Sequence, residues 1–169
     1  MVWTKLLGSA GDEVATALTT GLDGSIYVSG RTNGNLDGQT SNGNDAFITK
    51  YQPDGTKVWT KLLGSTGEDA ANALTTGVDG SIYVSGTTNG NLEGQFSNGN
   101  GDVFITKFIV SPTYILTASS TFLTEGSAVT FNVATTNVAS GTQLNYTLGG
   151  TGITAGDLVG GQLSGTATV

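Results

Sequence analysis

The residues best suited to chemistry in this chain are Asn33-Gly34-Asn35-Leu36-Asp37-Gly38 and a second copy, Asn89-Gly90-Asn91-Leu92-Glu93-Gly94. Their spacing echoes the D-x-[DN]-x-[DN]-G calcium loop, in which alternate side chains ahead of a glycine bring their oxygens to one point. The sharper of two readings is one Ca2+ per loop. Asn33, Asn35 and Asp37, with Asn44 and Asp45 from the far end of the loop, would hold the first; Asn89, Asn91 and Glu93, with Asn100 and Asp102, the second. Each core loop brings only one carboxylate, and Asn44 and Asn100 stand where a calcium loop places its bidentate Glu. The charge count favours the plainer reading, that Asn and Gly supply left-handed residues and side-chain turns between strands.

Two other groups have the residue types for chemistry. Asp12-Glu13 and Glu68-Asp69 are acid pairs at matching points, which fits ligands or a glycosidase-like carboxylate pair and, more plainly, solvated loop charge. Trp3 and Trp59 share a face with Lys5 and Lys61. They suit sugar stacking or, because an indole buries so much apolar area, packing. The chain has no His and no Cys, which removes the usual general base and the thiol nucleophile. No P-loop or Rossmann glycine pattern is present. A Ser-Lys or carboxylate-only mechanism stays formally open, but the expectation is a protein that is not an enzyme.

The elements that must position these residues follow from a duplication. Residues 2–44 and 58–100 are nearly the same sequence at an offset of 56 residues, with nine differences over 43 positions. A fixed period of this size marks a propeller or solenoid unit that cannot bury its apolar face alone. Asp23-Gly24 and Asp79-Gly80 read as two-residue hairpin turns, and Gln52-Pro53-Asp54-Gly55 as another turn. Around them the pattern has period two: Ile26 and Val28 oppose Tyr27 and Ser29, and Phe47, Thr49 and Tyr51 oppose Ala46, Ile48 and Lys50. Strands are expected over 15–22, 25–32, 45–51 and 56–63. Val14, Ala17 and Leu18 also sit at helical spacing, but that segment is short and runs straight into a hairpin. Val2–Leu7 reads as a lone fourth strand and 71–108 as three more, so the N-terminal strand is expected to complete the last blade. Two blades are few for a ring, since propellers close with about four to eight.

Gly-x-x-x-Asp/Glu, then Asp-Gly-Ser-Ile-Tyr-Val-Ser-Gly, Asp-Ala-Phe-Ile-Thr-Lys-Tyr-x-Pro-Asp-Gly and Val-Trp-Thr-Lys-Leu-Leu-Gly together resemble the bacterial beta-propeller repeat called SBBP, over residues 2 to about 108. The resemblance implies large secreted or surface-displayed proteins with a binding or scaffolding role. The tail changes character: Tyr114 and Leu116, Val129 to Val133, and Leu144 to Leu148 alternate as three strands, and 166–169 looks like another. Leu123-Thr124-Glu125-Gly126 and Ile153-Thr154-Ala155-Gly156-Asp157 are similar to Calx-beta or immunoglobulin-like modules, which implies that Glu125 and Asp157 occupy acidic positions. A sandwich takes about seven strands in roughly 100 residues, so the module reads as incomplete.

The expected fold is therefore all-β: two four-stranded antiparallel beta-propeller-type blades over 1–109, then a partial β-sandwich over 110–169. Six Lys+Arg against 13 Asp+Glu give a net charge of −7, which disfavours nucleic acid and anionic membranes and leaves Ca2+ as the cofactor to consider. No apolar run of about 18 residues is present. The absence of Cys excludes disulfides and fits a reducing compartment or a bacterial secreted protein alike. The expected function is a non-catalytic structural or adhesive module of a bacterial secreted or cell-surface protein, binding protein or glycan surface ligands. The alternative is a lectin-like propeller assembled from several chains. A homo-oligomer through blade faces, or a place as an internal piece of a longer chain, would cover the exposed faces.

Overall fold

The computed structural model describes residues 2–99, 101–122, 124, 127–158 and 162–169. Asn100, Leu123, Glu125 and Gly126, named above as loop and tail motif residues, lie outside the described residues. The chain divides into two units, Met1–Ser111 and Pro112–Val169.

In the first unit, β1 (Glu13–Thr20), β2 (Ile26–Thr32), β3 (Asp45–Tyr51) and β4 (Lys57–Leu63) form an antiparallel meander in the order β1-β2-β3-β4. The second repeat gives β5 (Asp69–Thr76), β6 (Ile82–Thr88) and β7 (Asp102–Phe108), ordered β5-β6-β7. Among the described residues this sheet has three strands and no ring closes. Residues 2–9 carry no strand, so the expected pairing of the N-terminal segment with the last blade is not made. The 12–18 segment is extended, with β1 starting at Glu13.

The hairpins correct one detail of turn chemistry. Gly21 N–H bonds the Ser25 carbonyl at 2.8 Å and Gly24 N–H the Gly21 carbonyl at 3.0 Å. Only Gly24 has positive φ, at 75°. The loop therefore holds three residues, a turn followed by a left-handed glycine, in place of a two-residue turn. Asp23 is better used elsewhere: its Oδ1 accepts the Ser25 N–H at 3.0 Å, an Asx turn that removes the need for a left-handed Asp. Gly77–Ser81 and Gln52–Thr56 repeat the pattern. The two-residue turn occurs at Asp37-Gly38 (φ 52° and 76°) and Glu93-Gly94 (φ 48° and 78°), each closed by a bridge, Leu36 to Gln39 or Leu92 to Gln95.

Register decides which face each side chain takes. Ile26 faces Tyr51 and Val28 faces Thr49 on one side, while Tyr27 faces Lys50 and Ser29 faces Ile48 on the other. The second side packs on the next sheet. Tyr27, Ala46, Ile48 and Leu63 join Ala71, Ile82, Val84, Leu92 and Phe104 in one apolar cluster, with Trp59, Leu74, Phe108 and Val110 against it. Trp59 stacks on Phe108 at 5.9 Å between centroids and meets Tyr27 at 6.1 Å. Packing between repeats, not sugar stacking, therefore occupies this indole. Burial of this cluster is what makes two repeats more stable than one.

In the tail, β8 (Thr113–Ala118) pairs with β9 (Phe131–Thr136), and β10 (Gln143–Thr147) with β11 (Ser164–Thr168), as two separate two-stranded sheets. Every residue of β8 is exposed. Asp157 closes a single 3₁₀ turn, Ala155–Asp157, its Oδ2 accepting both the N–H and the hydroxyl of Thr154 at 2.8 Å. Such a capping box satisfies the free donors of the turn. Among the described residues no helix is long and apolar enough to cross a membrane.

Candidate functional site

A serine turn enters each repeat. In the first, the Ser9 N–H and hydroxyl both donate to the Glu13 carboxylate, and the Ser9 hydroxyl oxygen accepts from Gly11 N at 2.9 Å. In the second, Ser65 N–H and hydroxyl donate to Asp69 Oδ2 at 2.6 and 2.9 Å, and Ser65 accepts from Gly67 N at 2.9 Å. The acid pairs thus split. Glu13 and Asp69 turn inward and lock the turn, with Asp69 1% exposed, while Asp12 and Glu68 point to solvent. Hydrogen bonds from Ser9 hold the Glu13 carboxyl below its ordinary range, against a smaller effect of burial. Solvated charge describes only half of each pair.

The turns are tied to the Asn loops. Asn33 Oδ1 accepts from Asp12 N at 2.6 Å, and Asn33 N–H donates to Asp12 O at 3.2 Å. Gly11 and Gly34 meet closely there: a Cβ on Gly11 would lie 2.8 Å from Gly34 N, so glycine is required by space. Thr32 and Thr88 brace the start of each loop, donating to the carbonyls of Gly34 and Gly90 at 3.0 and 2.9 Å. Leu36, fully buried, and Leu92, 5% exposed, anchor the loops in the interior.

The proposed calcium ligands serve separate donors. Asn35 Oδ1 accepts from Ser41 N at 3.0 Å, and Asn91 Oδ1 from Ser97 N at 2.9 Å. Asn89 Oδ1 takes Gly101 N at 2.7 Å. Asp102 Oδ2 takes the Ser97 hydroxyl at 2.7 Å and Asn98 N at 2.8 Å. The Asp37 carboxylate is bound by Lys57 Nζ and the Thr60 hydroxyl. Burial raises its pKa, but these two partners outweigh burial and hold it below the ordinary value. Glu93 occupies the matching left-handed turn position. Among the described residues no group of three or more His, Cys, Asp or Glu gathers around one point.

Asp45 stands apart. It is 2% exposed, its Oδ2 accepts from Asn42 N at 3.3 Å, and its Oδ1 has no partner, as is also true of Asp69 Oδ1. Burial pushes the Asp45 pKa up, and the Asp69 charge adds to this against hydrogen bonds from Asn42 and Ser41. A raised folded-state pKa favours folding below the ordinary value, 3.8, and loses stability as pH rises through the folded pKa. Asp45→Asn is therefore expected to stabilise the protein at pH 7 by about 1 kcal/mol, the scale of one unsatisfied buried polar group, with the gain shrinking toward pH 4. Urea unfolding at the two pH values measures it, and a loss of stability at pH 7 that shrinks toward pH 4 would show that the carboxylate is needed in ionised form.

The turns of the two repeats, Ala10-Gly11-Asp12 and Thr66-Gly67-Glu68, line one open cleft of about 690 Å³ together with Asn33, Gly43 and Asn44. Asn44 Nδ2 donates to Glu68 Oε1 at 3.3 Å, and Asp69 N–H bonds the Asn44 carbonyl at 2.7 Å. The cleft is mostly polar, carries two carboxylates, and has glycine backbone on both walls. That combination can take hydroxyl groups or a cation, with no group set to act as a nucleophile. Sequence reasoning named Asp12, Asn33, Asn44 and Glu68 separately; their convergence depends on how the sheets stack. It missed the ion pairs Lys50–Asp23 at 3.1 Å and Lys107–Asp79 at 2.7 Å. Each ammonium also lies 5.5 Å over a ring, Tyr27 or Tyr83. Hydrogen bonds from Lys107 and Ser81 lower Asp79 to about 2. The recurrence of Asp, Tyr and Lys in both repeats, at offsets of 56, 56 and 57 residues, was the available signal.

Residues 2–37 match the beta-propeller repeat family, SBBP. The chain is 29% identical over 120 residues to regulatory protein FlaEY of Caulobacter vibrioides, an alignment that covers 64% of this chain and 13% of that protein. The chain thus spans a small part of the length of this curated relative.

Proposed function

We propose that this chain is a non-catalytic, propeller-type interaction module of a bacterial secreted or cell-surface repeat protein, and that the polar cleft between its repeats receives the partner. The observation that carries this reading is the pairing of Asp12 and Glu68, with Asn33 and Asn44, on one open surface. Equivalent points of two repeats converge there, as expected of a surface that recognises a polar partner. The match of residues 2–37 to the repeat family and the regulatory relative both favour binding over chemistry.

Two carboxylates, two amides and open glycine backbone suit a glycan or a polar protein loop better than an apolar ligand. In this reading the Asn loops are turns that hold the cleft, and calcium is not required for them. The strand pairs of the tail belong to a sandwich-type module similar to Calx-beta, with Asp157 serving its turn.

The test is a glycan and protein-ligand binding screen run in calcium and then in chelator, followed by titration of the Asp12→Ala/Glu68→Ala pair. Binding that survives chelator and falls at least tenfold in the variant, about 1.4 kcal/mol, supports the cleft with its unfolding transition unchanged. Binding lost in chelator would restore calcium to the loops. An unaffected variant would move the partner surface elsewhere.

A further inference from the structure

Residues 2–8, Val-Trp-Thr-Lys-Leu-Leu-Gly, are identical to residues 58–64. The later copy supplies β4, whose register on β3 pairs Ala46 with Leu63, Ile48 with Lys61 and Lys50 with Trp59. Among the described residues the second sheet has no such strand: β7 is an edge and pairs with β6 alone. Yet β7 (DVFITKF) differs from β3 (DAFITKY) at only two positions. One copy of the β4 heptapeptide outside any sheet and one sheet edge without its fourth strand are thus present, and they are cognate.

Placement keeps the two apart in this structure. The N-terminal segment lies on the outer face of the first sheet, where Trp3, Leu6 and Leu7 border an apolar groove of about 340 Å³ with Leu18, Ile26 and Val28. Trp3 Nε1 donates to the Pro53 carbonyl at 3.3 Å. The second sheet packs on the opposite face, against Tyr27, Ala46 and Ile48. A whole four-stranded sheet stands between. Moreover, the segment sits where a β4 of a preceding blade would sit: Trp59 stacks on Phe108 of the next sheet, and Trp3 reaches the β3–β4 turn of its own next sheet, against Gly55.

We infer that chains associate head to tail, Val2–Gly8 of one copy pairing with β7 of another as its missing fourth strand. The register follows from β3 and β4: Leu7 opposite Val103, Lys5 opposite Ile105 and Trp3 opposite Lys107. Burial on both sides agrees. Val103 and Ile105 are 75% and 73% exposed, whereas their counterparts Ala46 and Ile48 are fully buried beneath the second sheet. Ile26 and Val28 are half-buried, whereas Ile82 and Val84 are fully buried. The occupant each surface lacks is the surface the other presents, and an open edge offers its backbone donors and acceptors directly. Because the contact is heterologous, it closes into a ring if the rotation allows and runs on as an open row if not. Propellers of about four to eight blades would take about two to four copies of the two-repeat unit Met1–Ser111. The contact does not depend on what the polar cleft binds.

Native mass measurement and disulfide trapping of the full chain test this. The expected mass is two to four times 17.1 kDa, or a higher series if the row stays open. The sequence has no cysteine, so Leu7→Cys with Val103→Cys in one chain reports cleanly, since opposed strand residues lie within disulfide reach. Oxidation should link different chains. Ile105→Lys changes a side chain exposed in the lone chain and is expected to return the mass to 17.1 kDa with an unchanged circular dichroism spectrum. A monomer at all concentrations, a disulfide confined to single chains, or assembly unaffected by Ile105→Lys would each overturn the inference. None of these bears on ligand binding by the cleft.

Discussion

Gly30→Ala is expected to destabilise the first unit by about 3 kcal/mol or more, the upper range for overpacking a site that cannot relax. The cause is space. Gly30 pairs with Ala15 at the point where β1 bulges, between Ala15 and Ala17. A Cβ there would overlap the Val14 carbonyl oxygen, and would lie 2.8 Å from the Val14 carbonyl carbon and 2.9 Å from Ala15 Cα. Backbone atoms cannot rotate away as a side chain can, so either the β1–β2 ladder opens or the bulge is lost. The bulge carries Thr16, whose hydroxyl reaches the Ala71 carbonyl of the second sheet, so the damage spreads to the contact between repeats. Gly86 repeats the arrangement against Ala70 and the Phe104 ring, 2.8 Å away, and Gly86→Ala should behave alike. Gly99→Ala is the control, with nothing within 4 Å of the added Cβ. Thermal unfolding should place the first two about 10–20 °C below the parent and the third beside it. A small shift for Gly30→Ala would mean that the bulge migrates along β1 at little cost.

Trp59→Ala should cost about 3 kcal/mol, the lower end for deletion of a large aromatic, because the indole is only partly buried. Its contacts make it the link between repeats, stacked on Phe108 and tilted against Tyr27. Aromatic pairs add about 0.5–1.5 kcal/mol to their buried area, and both pairs go at once. The chain holds its own comparison. Trp3 is the same residue in the same heptapeptide but is 39% exposed, and Trp3→Ala should cost less than about 1 kcal/mol in the lone chain. Guanidinium unfolding of both variants in the Ile105→Lys background, where copies stay apart, measures the difference. Equal costs would mean that sheet stacking contributes little and that each repeat is held by its own strands.

Much of the fold was legible because its signals are local. The offset between Val2 and Val58 is written in the residues, the alternation over 45–51 matches β3 to the residue, and left-handed glycine ends each hairpin. Period and turn chemistry act over a few bonds, so they need no neighbours. The four strands of the tail also followed from alternation, although their pairing two by two did not.

What the tertiary structure decided is the environment that like residues receive. Ile48 and Ile105 sit in nearly the same strand, one sealed and one open, because a second sheet covers only the first. Of two adjacent acids, Asp69 turns inward to Ser65 and Glu68 outward to the cleft, a choice set by which residue begins β5. Trp59 and Trp3 share a heptapeptide, yet only Trp59 joins a sheet. The sequence by itself determined the repeat, its strands and its turns. Which copies of its residues are buried, which acids meet across the repeats, and which copy of the heptapeptide joins a sheet depended on stacking, since burial is a property of what lies opposite and not of the residue alone.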